Sequence, residues 1–410
     1  QGFLGLALWV SPSDRRARRP VPQSTRCSKP SPPQIEVMSG VVDQQRRRLS
    51  GPGGGMPAGA DRGDAETDKL AEFGLVQLFE DAAERGQKAV AIFSNTDREM
   101  KRKQSFGTKE EEYVWNSALS DEPTCRAWVE SMSLAFKCHK GMKPESPNQD
   151  SFSIVVVEGD FALYSVFDGH GPNGHDVSDF ARGHVVKGFL ELRQGGVEDA
   201  FRQSFLATQK VFTERTEDQT LDSGMSGTTC TVAYHDIPGN KLYIGHVGDS
   251  RAIISNEVTS KEAEDLTVDH KPNLPEEKKR IEKAGGRVVF DGFYNHRVFA
   301  HDGMYPGLNM SRALGDVAGH RAAGLSADPD IKEVPLGTPR LLLLCTDGVW
   351  EFIESSEAMS RMTGGKDPRR LESTEMKESL GNLTKDSYDR WMKDSDNEIS
   401  DDITGIAVCL

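Results

Sequence analysis

Phe161-Ala162-Leu163-Tyr164-Ser165-Val166-Phe167-Asp168-Gly169-His170-Gly171 is the stretch on which the fold turns. Its first seven residues, mostly aromatic and aliphatic, read as a buried β-strand that stops at a carboxylate followed by glycine. Glu158-Gly159-Asp160, a turn signal, joins it to a second β-rich run, Ser151–Val157. The same ending recurs further along the chain. Ile244–Val247 runs into Gly248-Asp249-Ser250-Arg251, and Leu341–Thr346 runs into Asp347-Gly348-Val349. On the entering side, Asn148-Gln149-Asp150 precedes Ser151–Val157, and Asp401-Asp402 precedes the apolar run Ile403–Leu410.

One Asp-Gly after a strand is an ordinary turn. Five carboxylates at strand ends have a further consequence, because they aim at a common rim and repel one another unless a cation lies between them. Hard divalent ions such as Mg²⁺ and Mn²⁺ take oxygen ligands, and two of them can share a bridging carboxylate. A glycine beside the ligand lets its own carbonyl approach the ion. The ten histidines include no H-x-x-x-H or H-E-x-x-H pair, which speaks against a zinc site. His170 and His175 are five apart, so His170 reads as an acid–base group beside the metals. Ser250 and Ser311 lack the His/Asp partners of a serine hydrolase. Gly51–Gly55 lacks the Lys-Ser/Thr of a phosphate loop.

The remaining pattern is coarse but consistent. Asp176–Leu192, Val197–Arg215, Pro275–Ala284, Glu354–Met362 and Met376–Trp391 are predicted helices. Thr228–Tyr234 and Lys241–Ile254 are predicted strands around Pro238-Gly239-Asn240. Hairpins outnumber strand–helix–strand alternation, so antiparallel sheets with helices outside them are expected. Upstream, Leu70, Phe73, Val76, Leu78, Phe79 and Ala82 predict a helix over Thr67–Ala91 that packs on the following domain, and Ser94–Glu112 reads as a linker. Residues 1–64 hold nine Gly and eight Pro, the composition of an unstructured head.

Composition bounds the function. The 410 residues carry a net charge of −14; ten Arg/Lys against five Asp/Glu in residues 1–64 make the head +5 and leave −19 on the rest. So acidic a body repels phosphate backbones, which excludes nucleic acid as the main partner. No apolar run approaches the ~20 residues of a membrane helix. The six cysteines are scattered without C-x-x-C, which favours free thiols and a cytoplasmic or nuclear setting; the apolar Gly2–Val10 leaves a signal remnant open. Arg46-Arg47-Arg48-Leu49-Ser50 and Lys101-Arg102-Lys103-Gln104-Ser105 have the form of basophilic kinase sites, at Ser50 and Ser105. The chain is expected to act as a monomer.

With these motifs in order, together with Ser226-Gly227-Thr228-Thr229, Ser311-Arg312-Ala313-Leu314-Gly315-Asp316, Thr346-Asp347-Gly348-Val349-Trp350 and Asp401-Asp402-Ile403-Thr404, residues 133–410 resemble the protein phosphatase 2C (PPM-type, metal-dependent Ser/Thr phosphatase) family. The resemblance implies an α+β fold, a four-layer α-β-β-α sandwich of two antiparallel sheets flanked by helices, preceded by a disordered head (1–64) and a helical extension with linker (65–132). It implies hydrolysis of phosphoserine and phosphothreonine in proteins by a water activated at a binuclear Mg²⁺/Mn²⁺ centre, without a covalent intermediate. By that likeness Asp168 bridges both ions, Gly169 offers its carbonyl, Asp347 and Asp401 complete one ion, Asp150 supports the site, and Asp249 helps hold a weaker third ion. His170 would protonate the leaving oxygen. Three positions depart from the common pattern: Lys143 stands where many members grip phosphate with Arg, Gln149 where many carry Glu, and Glu351 where a second Asp for the third ion is common. Val288–Leu308, with Gly292, His296, His301, Asp302 and Gly303, corresponds to a flap beside the active site. Two other classes remain open: an inactive scaffold of this fold, and a phosphatase of small-molecule phosphates. The acidic body favours phosphosites flanked by basic residues.

Overall fold

The computed structural model describes residues 70–95, 106–143, 147–256, 262–338 and 340–410. The central strands are buried on both faces, and their alternation decides which layer each side chain enters. In Ser151–Val157, Phe152, Ile154 and Val156 meet Leu342, Leu344, Ile406 and Val408 of a second sheet. Val155 and Val157 point the other way, to a layer with Val185, Phe189, Phe201 and Phe205 from the helices Gly174–Leu192 and Val197–Glu217. In Leu341–Cys345 the odd positions face Met359, Met362, Met376, Leu380 and Leu383 of the helices Ser355–Thr363 and Ser373–Asp394.

The result is the expected four-layer α-β-β-α sandwich. One sheet has seven strands in the order Asp330–Pro335, Lys241–Val247, Cys230–Asp236, Phe161–Phe167, Ser151–Val157, Ala89–Ser94, Glu111–Trp115. The other has five, in the order Ala263–Asp265, Arg251–Ser255, Leu341–Cys345, Ile403–Cys409, Leu134–His139. Every pairing in the two sheets is antiparallel. The flap is a separate three-stranded sheet of Gly286–Phe290, His296–Ala300 and Pro306–Leu308.

Two expectations are corrected. The helix predicted to reach Ala91 ends at Glu84, because Gly86 takes a left-handed conformation, and Ala89–Ser94 is a fully buried strand. Its Ala-Val-Ala-Ile run looks like a continued helical face, but it is paired on both sides. The sheet therefore begins upstream of Ser133, and the span read as extension and linker supplies two of its strands as well as the helix Glu122–Glu130. Phe73, Phe79 and Ala82 do pack into the core of the sandwich. Secondly, Lys241–Ile254 is not one strand. It breaks at Gly248 (φ 104°), and its halves lie in different sheets. Residues 1–64, Ser50, Ser105 and Cys27 lie outside the described residues. Cys125, Cys138, Cys230, Cys345 and Cys409 are free. Among the described residues no helix is long and apolar enough to cross a membrane.

Candidate metal centre

Register brings the carboxylates together. Ser151 pairs with Phe167, so Asp150 and Asp168 leave the same end of neighbouring strands. In the facing sheet Cys345 pairs with Gly405 and Ile403 with His139, which gathers Asp347, Asp401, Asp402 and Lys140-Gly141 at the matching end. Asp249 sits in the link by which the chain passes from one sheet to the other.

The surroundings are largely buried and densely hydrogen-bonded. Asp150 is wholly buried; its Oδ2 accepts the Thr346 hydroxyl at 2.9 Å and its carbonyl accepts Lys109 Nζ at 2.5 Å. Asp402 accepts the N–H groups of Gly141 (2.7 Å) and Gln149 (2.8 Å), locking the loop before Asp150 to the other sheet. Gly169 has no room for a side chain: a Cβ there would fall on the Gly174 carbonyl oxygen and 2.5 Å from that of Gln149. The Gln149 amide donates to the Gly171 carbonyl at 2.8 Å, a neutral use of a position where a carboxylate was the common alternative.

Electrostatics set this cluster apart. Burial first, then repulsion from Asp402, pushes Asp150 up to about 7. Burial and the neighbouring Asp347, Asp150 and Asp401 hold Asp168 well above the usual carboxylate range. Burial and repulsion from Asp401 and Asp249 do the same to Asp347. Oδ1 of Asp150, Asp249 and Asp347 is in each case buried without a hydrogen-bond donor. Such orphaned acceptors on crowded carboxylates fit a hard cation. No three His, Cys, Asp or Glu side chains among the described residues are drawn in around one point as ligands of a single ion.

Lysines supply positive charge instead. Lys143 Nζ pairs with Asp401, and Lys271 Nζ with Asp249 at 2.5 Å. Burial alone would lower the Lys143 ammonium, but Asp401, Asp402 and Asp168 reverse that and raise it. His170 Nε2 lies 2.6 Å from Asp316 Oδ2. Burial would lower the ring, and the Asp316 carboxylate more than offsets this, so its pKa is raised. Glu351 is exposed. Sequence reasoning missed Asp402, Lys271 and the role of Asp316 as partner of His170. Asp402 and Asp316 lay in motifs already quoted, whereas Lys271 has no local signature.

The fold is a double antiparallel sheet flanked by helices with a carboxylate-lined rim at one end, and comparison with known proteins places it in a family. The family profile described as "Protein phosphatase 2C" matches residues 119–385. "Probable protein phosphatase 2C 35" of Arabidopsis thaliana is 29% identical over 299 residues, 66% of this chain and 81% of the relative. "Probable protein phosphatase 2C 73" of the same plant is 32% identical over 294 residues, 64% and 75% respectively. In three dimensions the serine-threonine phosphatase 2C of Toxoplasma gondii shares the fold with a TM-score of 0.56 at 22% identity, over 67% of this chain and 94% of that one. The chain belongs to the protein phosphatase 2C family, and it is accordingly a protein-serine/threonine phosphatase of the metal-dependent kind.

Proposed function

We propose that the chain hydrolyses phosphoserine and phosphothreonine in proteins with two Mg²⁺ or Mn²⁺ ions, which Asp168 would help to hold. Gly169 offers its carbonyl, Asp347 and Asp401 complete the set, Asp150 supports it, and Asp249 belongs to a weaker third position. The observation that carries this reading is the set of buried, mutually repelling carboxylates with orphaned oxygens. Bound there, the ions supply the positive charge that acidifies a water and offsets charge on the phosphoryl oxygens.

The chain's own residues do the rest. Asp402 ties the Gln149–Asp150 loop to the facing sheet, so the two halves of the rim keep their separation. Lys143, beside Asp401, offers the substrate phosphate a point charge rather than the two-pronged contact of arginine. His170, its pKa raised by Asp316, holds a proton for the departing seryl or threonyl oxygen. Burial raises the thiols of Cys125, Cys138, Cys230, Cys345 and Cys409, so none of them is poised as a nucleophile.

The test is hydrolysis of a phosphothreonine peptide with Mn²⁺, with EDTA, and by Asp168→Asn. Turnover that needs Mn²⁺ and is lost in the variant is expected. Turnover indifferent to EDTA would sink the metal mechanism, none under any condition would favour a scaffold, and turnover of sugar phosphates alone would favour a small-molecule phosphatase.

A further inference from the structure

The ring of His170 is hydrogen-bonded at one nitrogen and unpartnered at the other. Nε2 stands 2.6 Å from Asp316 Oδ2, whereas Nδ1 is buried with no partner. The two residues are 146 apart in sequence, and several separate contacts hold them together. Asp316 is 1% exposed and adopts a left-handed backbone (φ 41°, ψ 45°) that costs a non-glycine residue energy. Its neighbours over-determine that conformation. The Asp316 N–H donates to the Ser226 carbonyl at 2.8 Å. The Gln209 side chain grips the preceding peptide twice, accepting from the Gly315 N–H and donating to the Gly315 carbonyl, both at 2.8 Å. Under the pair lies Gly227, where a Cβ would fall on the Asp316 carboxylate and 2.7 Å from His170 Nε2.

We propose that Asp316 is the positioning residue of the catalytic histidine: it takes the Nε2–H of His170, fixes the ring's tautomer and plane, and so makes Nδ1 the nitrogen that serves the leaving group. The inference rests on the reading of His170 as general acid and adds which atom acts and what aims it. A hydrogen bond at one imidazole nitrogen fixes the tautomer and so decides what the other nitrogen can do, which is how a buried aspartate serves the histidine of a serine hydrolase. In the step itself a water oxygen bonds to phosphorus and the phosphorus–Oγ bond breaks. Its electron pair passes to Oγ, which takes the Nδ1 proton of His170. The attacking water gives up a proton to solvent, from which His170 is recharged. Inorganic phosphate and a free hydroxyl result. The strained backbone is the cost of placing the carboxylate under the ring.

The experiment compares two substrates on the full chain with Mn²⁺. A phosphothreonine peptide expels an alkoxide and needs an acid; p-nitrophenyl phosphate expels a phenolate and does not. His170→Gln is expected to lower kcat on the peptide by about 10²-fold or more, within the range of general acid catalysis, while p-nitrophenyl phosphate changes by less than about threefold. Asp316→Asn keeps the side-chain shape and a residue type tolerant of left-handed backbone. It is expected to reproduce the selective loss, at about 10-fold to 10²-fold, with KM unchanged and no further loss in the double variant. A selective His170→Gln beside an unselective or silent Asp316→Asn overturns the positioning role and leaves the acid intact. An unselective His170→Gln overturns both. A measurement on the unmodified chain guards against misfolding: ¹⁵N-histidine NMR is expected to show the neutral His170 proton on Nε2. A proton on Nδ1 with bare Nε2 overturns the proposal.

Discussion

Removing a carboxylate from the rim should stabilise the metal-free protein. Asp150 is the case to work through, because its surroundings are fully defined. It is buried, its Oδ2 accepts from Thr346, and an asparagine oxygen can keep that bond. Its carboxyl titrates at about 7 in the folded protein against an ordinary 3.8, with burial the larger cause and Asp402 the next. The folded pKa is raised, so its contribution to stability is fully present below pH ~4 and is lost as pH rises through about 7. A rise from 3.8 to about 7 makes roughly 4 kcal/mol the ceiling, and on the order of 2–4 kcal/mol is expected once neighbouring carboxylates readjust. Urea unfolding in EDTA should therefore find Asp150→Asn more stable than the parent at pH 8 and equal to it near pH 4. Saturating Mn²⁺ should narrow or reverse the advantage at pH 8. A variant no more stable at pH 8 in EDTA, or equally advantaged at both pH values, would refute the account of the site as a store of unscreened repulsion.

Three further outcomes follow from the same geometry. Mn²⁺ at about 100 times its Kd should stabilise the parent by about 2.7 kcal/mol, visible as a raised Tm that EDTA removes, and Asp168→Asn should lose most of that response. Gly169→Ala should cost about 1–3 kcal/mol or more in urea, because the added methyl meets the backbone oxygens of Gly174 and Gln149, which cannot yield as a side chain could; an unchanged midpoint would count against the packing described. Glu277 accepts from Ser311 (2.5 Å), Arg312 (2.7 Å) and Arg280 (2.6 Å), and after burial is offset by these donors its carboxyl is lowered to about 2. Its stabilising effect is present above pH ~4.5 and lost as pH falls through about 2, and Glu277→Gln should cost about 3–5 kcal/mol at neutral pH by thermal or urea unfolding.

Much of the architecture is legible in the chain itself, and the reasons are local. A strand buried on both faces shows as a short, largely apolar run between turn residues, unbroken in Leu341–Cys345 and interrupted by Ser151 and Ser153 in Ser151–Val157. The Asp-Gly endings are equally local, so the rim carboxylates Asp150, Asp168, Asp249, Asp347 and Asp401 stand out by their places at the ends of apolar runs. Where a segment's partners decide its state, sequence reading fails. Ala89–Ser94 follows a real amphipathic helix and continues its period, yet it lies between two strands. Lys241–Ile254 reads as one strand because a change of sheet at Gly248 leaves no mark beyond one glycine.

The site divides along the same line. Which carboxylates end strands follows from the order of residues alone, because strand and turn propensities act over a few positions. How charge is managed around them is settled by packing in three dimensions: Lys143 on Asp401, Lys271 on Asp249, Asp402 across two backbone N–H groups, and Asp316 under His170. Each of these pairs, apart from Lys271 with Asp249, joins residues more than a hundred positions apart. Desolvation makes such charges costly alone and tolerable only with a partner, and the partner is chosen by register and layer packing rather than by neighbours in sequence.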